Sequence, residues 1–214
     1  DDWVAANPGQ SWDDGRPGDY NQRGQDWEKP GHFEYFPGNG DPAYKHDVGL
    51  RIHGGWSRAY YRKSLRVYAR NAYGSGNTLA YPFFGELPSQ GDAGRMITDF
   101  RRLILRNSGN DYSLTLYRDA LMHDLVKGFP MATMAYQPVV HFINGEYWGI
   151  INLRERYDQH YLSNHFNLPA DDVAILEAWA QVDEGLPSDR AQFLDIVAYA
   201  QGNDPADAAV YQWL

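Results

Sequence analysis

The chain has 214 residues, of which 43% are hydrophobic and 22% charged, and its formal net charge is −9. This composition is typical of a folded globular protein and excludes an intrinsically disordered chain. The sequence has no cysteine and no run of about 18 apolar residues, which excludes disulfides, thiolate zinc sites and a transmembrane helix.

Positive charge is concentrated in the middle of the chain. Residues 51–156 carry fourteen basic and eight acidic side chains, whereas residues 171–214 carry one basic and nine acidic side chains. The segment 49–70 alone has six basic side chains and no acidic one. This distribution predicts an anion-binding centre, and the acidic ends argue against nucleic acid as a partner. A compact ligand that bears phosphate fits better.

The first predicted elements are a loop and two strands. About the first 25 residues are rich in Gly, Pro, Asn and Asp, which predicts a loop or a wrapping arm, and a short strand is expected near 32–36. Alternating apolar residues then predict one strand from Asp47 and a second through Leu65, Val67 and Ala69.

The turn between these two strands contains Gly54, Gly55 and Ser57. Such residues let backbone N–H groups and a hydroxyl approach phosphate oxygens closely, and Arg58 and Lys63 add positive charge. The plainer interpretation is a set of ordinary turn glycines beside solvated strand faces. Composition alone leaves both interpretations open.

A Gly- and Pro-rich insertion at 71–98 precedes a third predicted strand at 100–107 and a helix. Asp111 or Ser113 is the expected N-cap, and Gly128 the expected end. Apolar residues recur at helical spacing at Leu114, Tyr117, Leu121 and Leu125. Further on, Asn144-Gly145 between two apolar runs predicts a tight β-hairpin with positive φ at both turn residues.

After the hairpin, the sequence predicts a polar helix-compatible segment at 157–166 and helices over 172–200 with a break at 185–187. The order of elements is that of a protein-kinase small lobe, a hinge and the start of a large lobe. The predicted fold class is therefore α+β, with a kinase-like small lobe of antiparallel sheet plus one helix, followed by a partial helical lobe. The expected divisions are an N-terminal arm at 1–46, a nucleotide-binding lobe at 47–156 and a helical segment at 157–214.

Three blocks of sequence together resemble the CotH kinase family, which is named for a spore-coat protein H. They are GLRIHGGWSRAYYRKSLRVYAR, LILRNSGNDYSLTLYRDAL and VVHFINGEYWGIINLRERYDQHYL. The resemblance covers roughly residues 27–172. It implies an atypical protein kinase that binds ATP with Mg²⁺ or Mn²⁺ and transfers the γ-phosphoryl group to protein hydroxyls. It also implies a bacterial extracellular or cell-surface location, although the Asp1-Asp2 start shows no signal-peptide pattern.

The resemblance implies that Ser57, Arg58 and Lys63 contact the phosphates. The alternative for Lys63 is an edge-strand lysine whose stem packs and whose amine reaches solvent. Typical kinases carry the nucleotide-binding lysine on the third strand, where this chain offers Arg102 and Arg106, so Arg106 is a further candidate for nucleotide binding.

Asp119 is the candidate helix carboxylate that would pair with the cation of the cleft, and it is the one candidate for a catalytic role. The alternative is a solvated helix acid next to Arg118. Glu155 lies where a hinge would approach the nucleotide, and it could equally form a salt bridge with Arg154 or Arg156. His53, His123 and His141 lack metal-ligand spacing and are interpreted as structural.

Phosphoryl transfer needs carboxylates that hold metal ions, and the resemblance implies that these lie beyond the hairpin. The available acids are Asp171, Asp172, Asp183 and Asp189, and their evenly acidic context is typical of solvated surface. No metal ligand is therefore assigned, and the chain is expected to be incomplete for catalysis.

An alternative function is an extracellular adhesion module that binds glycans or proteins on the same fold without catalysis. Its surface would be aromatic, with Trp56, Tyr60, Tyr61 and Trp148. A structural domain without a ligand is a third possibility. The expected partners are thus a nucleotide and a protein phosphoacceptor or surface partner, with no nucleic acid and no membrane span.

Overall fold

The computed structural model describes residues 18–38, 40–204 and 206–213. They form two compact units: one extends to Pro88 and includes Arg95–Arg156, and the other contains Ser89–Gly94 and the residues from Tyr157 onward. The part of the predicted arm at residues 1–17 lies outside the described residues. None of the helices in the described ranges has the length and apolar character needed to cross a membrane.

The first unit is built on a six-stranded antiparallel sheet, which confirms the α+β class. In chain order, the strands of this unit are β1 (Lys29–Tyr35), β2 (Tyr44–His53), β3 (Ser64–Ala69), β4 (Leu79–Ala80), β5 (Asp99–Phe100), β6 (Arg102–Arg106), β7 (Tyr136–Ile143) and β8 (Glu146–Glu155). The order in the large sheet is β1-β2-β3-β6-β8-β7, and β4 and β5 form a separate pair. The predicted third strand at 100–107 is therefore divided, because the chain bends at Arg101 between β5 and β6.

One face of the large sheet is apolar. The strand register places Val67 opposite Leu50 on one side and Leu103 on the other, and Leu105 opposite Leu153. The segment between β3 and β6 covers this face. It contributes buried Leu79, Phe83, Ile97 and Phe100 to the core. The Gly- and Pro-rich insertion predicted at 71–98 therefore contributes core residues to the apolar face of the sheet.

The opposite face carries arginines on four adjacent strands. Arg51 pairs with Arg66, Arg66 with Ile104, and Ile104 with Arg154. Because residues two apart on a strand share a face, neighbouring positions on β6 also belong to this surface. We call it the arginine face and define it as Arg51, Arg66, Arg102, Arg106 and Arg154.

The β7–β8 hairpin has the predicted turn. Asn144 has φ 52° and Gly145 has φ 83°, and Ile143 pairs directly with Glu146. Both turn residues therefore have the positive φ of a two-residue turn, which favours Asn-Gly.

We expect Gly145→Val to lower the free energy of unfolding by more than about 1 kcal/mol, because a β-branched residue is strained at positive φ. Urea denaturation measures the change. Gly128→Val is the matched control, since Gly128 has no positive φ and its Cβ would enter open space. Equal losses in the two variants would contradict this assignment of the strain to the turn.

The helix after β6 begins later than predicted. Helix α1 spans Arg118–Val126, and its N-cap position is Tyr117 rather than Asp111 or Ser113. Leu116 has φ 66°, which breaks a helix, and Asp111 accepts the backbone N–H groups of Thr115 and Arg118. The predicted apolar positions are consequently between 39% and 64% exposed; they are Leu114, Tyr117, Leu121 and Leu125.

The second unit is less helical than predicted. It contains helix α2 (Gln159–Phe166), strands β9 (Ile175–Glu177) and β10 (Gln181–Glu184), and helices α3 (Pro187–Gly202) and α4 (Ala208–Trp213). The prediction of helix is wrong for 175–184, where β9 and β10 pair antiparallel. The β-branched residues Ile175 and Val182 favour this extended conformation. The predicted break at 185–187 is instead the connection between β10 and α3, and the helix prediction is confirmed only from Pro187 onward.

Candidate anion site on the arginine face

Two arginines of the sheet share one carboxylate of α1. Arg106 Nε and Arg154 Nη1 each donate to Asp119 Oδ2 over 2.6 Å. The side chain of Arg154 is fully buried, whereas those of Arg106 and Asp119 are each 29% exposed. Because Arg106 shares this carboxylate with Arg154, Asp119 does not fully neutralise the charge of Arg106. Arg106 can therefore attract an anion on its exposed side.

The structure thus brings together two residues that the sequence singled out, the cation Arg106, now on β6, and the helix carboxylate Asp119. The alternative interpretation of Asp119 as a solvated acid does not fit its two short ion pairs. Arg102, the other cation on β6, lies elsewhere on the face, 5.8 Å from the centre of the Tyr68 ring. The contact with nucleotide stays a prediction for Arg106.

The turn after β2 is held by Arg58, which is buried. Its Nε donates to Gly54 O over 2.7 Å, and its Nη1 donates to Tyr20 O and Gln22 O over 2.9 and 3.2 Å. Burial, and then neighbouring arginines, lower the pKa of Arg58 to about 10. Ser57 Oγ fills the space that a side chain at Gly54 would need. Arg58 therefore connects the turn to the segment before β1.

Lys63 lies in the same cluster, immediately before β3. Its Nζ donates to Arg58 O over 2.7 Å and lies 4.4 Å from the centre of the Tyr20 ring. Burial lowers the pKa of Lys63. Ser57, Arg58 and Lys63 are thus close together, as their shared predicted role requires, and their phosphate contacts stay a prediction.

Glu155 is buried at the end of β8. Its Oε2 accepts the N–H of Ala135 over 2.9 Å, and its own N–H donates to Ala135 O over 3.3 Å. These bonds fix the segment that leads into β7. The position of Glu155 beside a nucleotide stays a prediction.

His53 and Arg66 form a pair that the sequence did not single out as a site. Arg66 Nε donates to His53 Nδ1 over 2.9 Å. Burial, followed by nearby arginines, lowers the pKa of His53 to about 3, so the imidazole is neutral at neutral pH. The contributing arginines are Arg66, Arg106, Arg156 and Arg58. The only indication of this pair in the sequence was that Arg51 and His53 are two residues apart on β2 and therefore share one face of the sheet.

The low pKa of His53 predicts a pH-dependent stability. Between about pH 6.5 and 3 the unfolded chain binds a proton that the folded chain excludes, so the free energy of unfolding should fall as pH falls through this window. The slope contributed by one such group approaches about 1.4 kcal/mol per pH unit. Urea denaturation from pH 7 to 4 measures it.

In this experiment, His53→Gln should flatten the pH profile relative to the wild type. A profile of His53→Gln as steep as that of the wild type would contradict the assignment to His53.

The metal-ligand, acidic and aromatic features that the sequence offered give less support for a functional site. No group of three or more His, Asp or Glu side chains could hold a metal ion within residues 18–38, 40–204 and 206–213. Of the four acids predicted to lie on solvated surface, Asp171 and Asp172 are exposed, whereas Asp183 and Asp189 are half-buried. Of the aromatic residues, Tyr61 stacks on Trp148 with ring centres 5.7 Å apart, whereas Tyr60 contacts Tyr112.

The chain matches the model of a known family. A family model described as "CotH kinase protein" matches residues 50–204, which includes β3, β6, α1 and the β7–β8 hairpin. No curated protein matches the chain.

Proposed function

This chain belongs to the CotH kinase family, and we propose on that premise that its first unit is a kinase-like lobe that binds ATP, with the phosphates on the arginine face beside α1. In this proposal the unit is the nucleotide-binding part of an enzyme that transfers the γ-phosphoryl group to protein hydroxyls. The transfer, the phosphoacceptor and an extracellular location are supported by the family alone.

The observation that carries the proposal is the ion pair between Arg106 and Asp119. In protein kinases a cation on the third strand pairs with a helix carboxylate and contacts the nucleotide phosphates. Here α1 follows β6 along the chain, and Arg106 on β6 contacts Asp119 on α1. With β1 counted, β6 is the fourth strand of the large sheet and Lys63 lies immediately before the third, β3, so the ion pair and not the strand number favours Arg106 over Lys63 as the cation of the cleft.

Charge and free donors also support phosphate binding at Arg106. Only its Nε is used by Asp119, and neither terminal nitrogen has an acceptor in the part of the chain that the structure describes. A unit charge about 4 Å from a phosphate contributes roughly 4 kcal/mol at an effective dielectric near 20, before desolvation is subtracted. Ser57, Arg58 and Lys63 lie together at the turn, where Arg58 and Lys63 already donate to backbone carbonyls and contribute mainly positive charge.

The residues of the proposed site fit ATP better than they fit a divalent metal ion. They supply guanidinium and N–H donors for the oxygens of ATP. For Mg²⁺ or Mn²⁺, the described residues contain no group of three ligating side chains. We therefore assign no residue to the metal.

Titration calorimetry with ATP tests the proposal. The wild-type chain should bind ATP, and Arg106→Met should weaken binding by about 1–3 kcal/mol, the range for a hydrogen bond to a charged group. Arg106→Lys, which keeps the charge, should lose less. Arg101→Met is the control, because Arg101 is an exposed arginine at the bend before β6.

Absence of ATP binding by the wild-type chain, or equal affinities for Arg106→Met and Arg101→Met, would contradict the proposal. Thermal unfolding of each variant without ATP shows whether the change at Arg106 has altered the fold.

A further inference from the structure

Hydrogen-bond donors without acceptors meet at the centre of the arginine face. Arg66 on β3 and His53 at the end of β2 are both half-buried, and one bond joins Arg66 Nε to His53 Nδ1. Beyond that bond, neither the terminal nitrogens of Arg66 nor His53 Nε2 has a partner among the described residues. These nitrogens are not among the buried atoms that lack a partner, so they are accessible to solvent and can donate to a ligand that approaches this face.

The bond to Arg66 fixes the tautomer of His53. A guanidinium has only donors, so Nδ1 of His53 must accept and the ring proton must lie on Nε2. The imidazole is then a neutral donor next to a permanent cation. Neutral donors add hydrogen bonds to an anion without adding charge that must be desolvated.

These donors lie close to Arg106 in the strand register. Arg66 pairs with Ile104, and Arg106 is two residues further along β6 on the same face. The donors of the glycine turn are, by contrast, largely used, because Arg58 donates to three backbone carbonyls and Lys63 to a fourth. The unused donors are thus on the strands rather than in the turn.

We propose that Arg66 and His53 form a phosphoryl-binding site on the arginine face, in which the terminal nitrogens of Arg66 and the neutral Nε2–H of His53 donate to the oxygens of an oligophosphate. This inference rests on the proposed function and adds two binding residues to it. The planar fork of a guanidinium matches phosphate geometry, which a lysine at this position could not reproduce.

Titration calorimetry with inorganic tripolyphosphate and, separately, with ATP tests the site. Arg66→Met should lower the affinity for both by about tenfold or more, and Arg66→Lys should recover only part of the loss. His53→Leu should weaken both less strongly than Arg66→Met. Arg101→Met again serves as the control for the loss of one positive charge, and we expect its affinities within about twofold of the wild type.

Nitrogen-15 NMR of the wild-type chain gives a readout that does not depend on whether the variants fold. His53 should show the Nε2–H tautomer, and tripolyphosphate should shift its Nε2–H signal. A signal that tripolyphosphate does not move would overturn the inference.

The two proposals fail in different ways. If the wild type binds ATP and Arg66→Met binds it equally well, the Arg66–His53 site is wrong and the proposed function stands. If the wild type binds tripolyphosphate through Arg66 but does not bind ATP, the site stands and the proposed function fails.

Discussion

Asp119→Leu should lower the free energy of unfolding by about 3–5 kcal/mol, the usual cost of removing one partner from a buried ion pair. The variant removes the carboxylate that Arg106 and Arg154 share, and the side chain of Arg154 is fully buried. The loss should appear as a lower urea midpoint with an unchanged slope of free energy against urea concentration.

Asp124→Leu is the matched control on the same helix, because Asp124 pairs with exposed Lys127 and such surface pairs contribute about 0–1 kcal/mol. The double variant Asp119→Leu/Arg154→Leu should recover part of the loss, since it no longer buries that charge. If Asp119→Leu costs no more than Asp124→Leu, Asp119 is not the counter-ion that holds the two strands to α1.

The second large effect is expected at Glu28, whose side chain is 1% exposed. Its two oxygens accept from Arg70 over 2.6 and 3.1 Å, and Tyr73 donates to it over 2.8 Å. Arg51 of the arginine face lies 3.5 Å away. Glu28→Gln should therefore cost about 3 kcal/mol, because two arginines lose their buried counter-charge.

Glu34→Gln is the control for this change, since Glu34 forms a solvent-exposed pair with Lys45. Chemical denaturation of both variants at pH 7 gives the comparison. A cost of Glu28→Gln below about 1 kcal/mol would show that the surrounding arginines do not depend on the carboxylate charge.

Local signals in the sequence predicted local structure. The Asn144-Gly145 turn was predictable because two consecutive positive φ angles select those residue types whatever surrounds them. The strands β2 and β3 were predictable because alternate residues face the core, as Leu50 and Val67 do.

Other elements depended on contacts that the sequence does not show. The apolar spacing from Leu114 to Leu125 suggested a longer helix, but the positive φ of Leu116 and the side chain of Asp111 end that pattern before Arg118. In the second unit, β9 and β10 are too short for their alternation to stand out from a helical pattern.

The candidate site was predictable only in part. Arg106 and Asp119 followed from the order of elements. Arg154 did not, because its position depends on the register between β6 and β8, which are not consecutive in the chain. The Arg66–His53 pair did not either, because the register between β2 and β3 is set by the conformation of the turn that joins them. Arg58 and Lys63 were chosen for their charge, and the backbone carbonyls that they bind could not be inferred from sequence.

The strand order also has a kinetic consequence. The β7–β8 hairpin closes through a two-residue turn, whereas β6 must find β3 across the whole insertion and β8 across α1 and the segment after it. Closing a long loop costs conformational entropy before the strands form stabilising contacts, so pairing between strands that are distant in the chain is slow. Hairpin formation should therefore precede the assembly of the sheet centre. Substitutions in the β3–β6 contact that slow folding in stopped-flow experiments would place that late docking in the rate-limiting step.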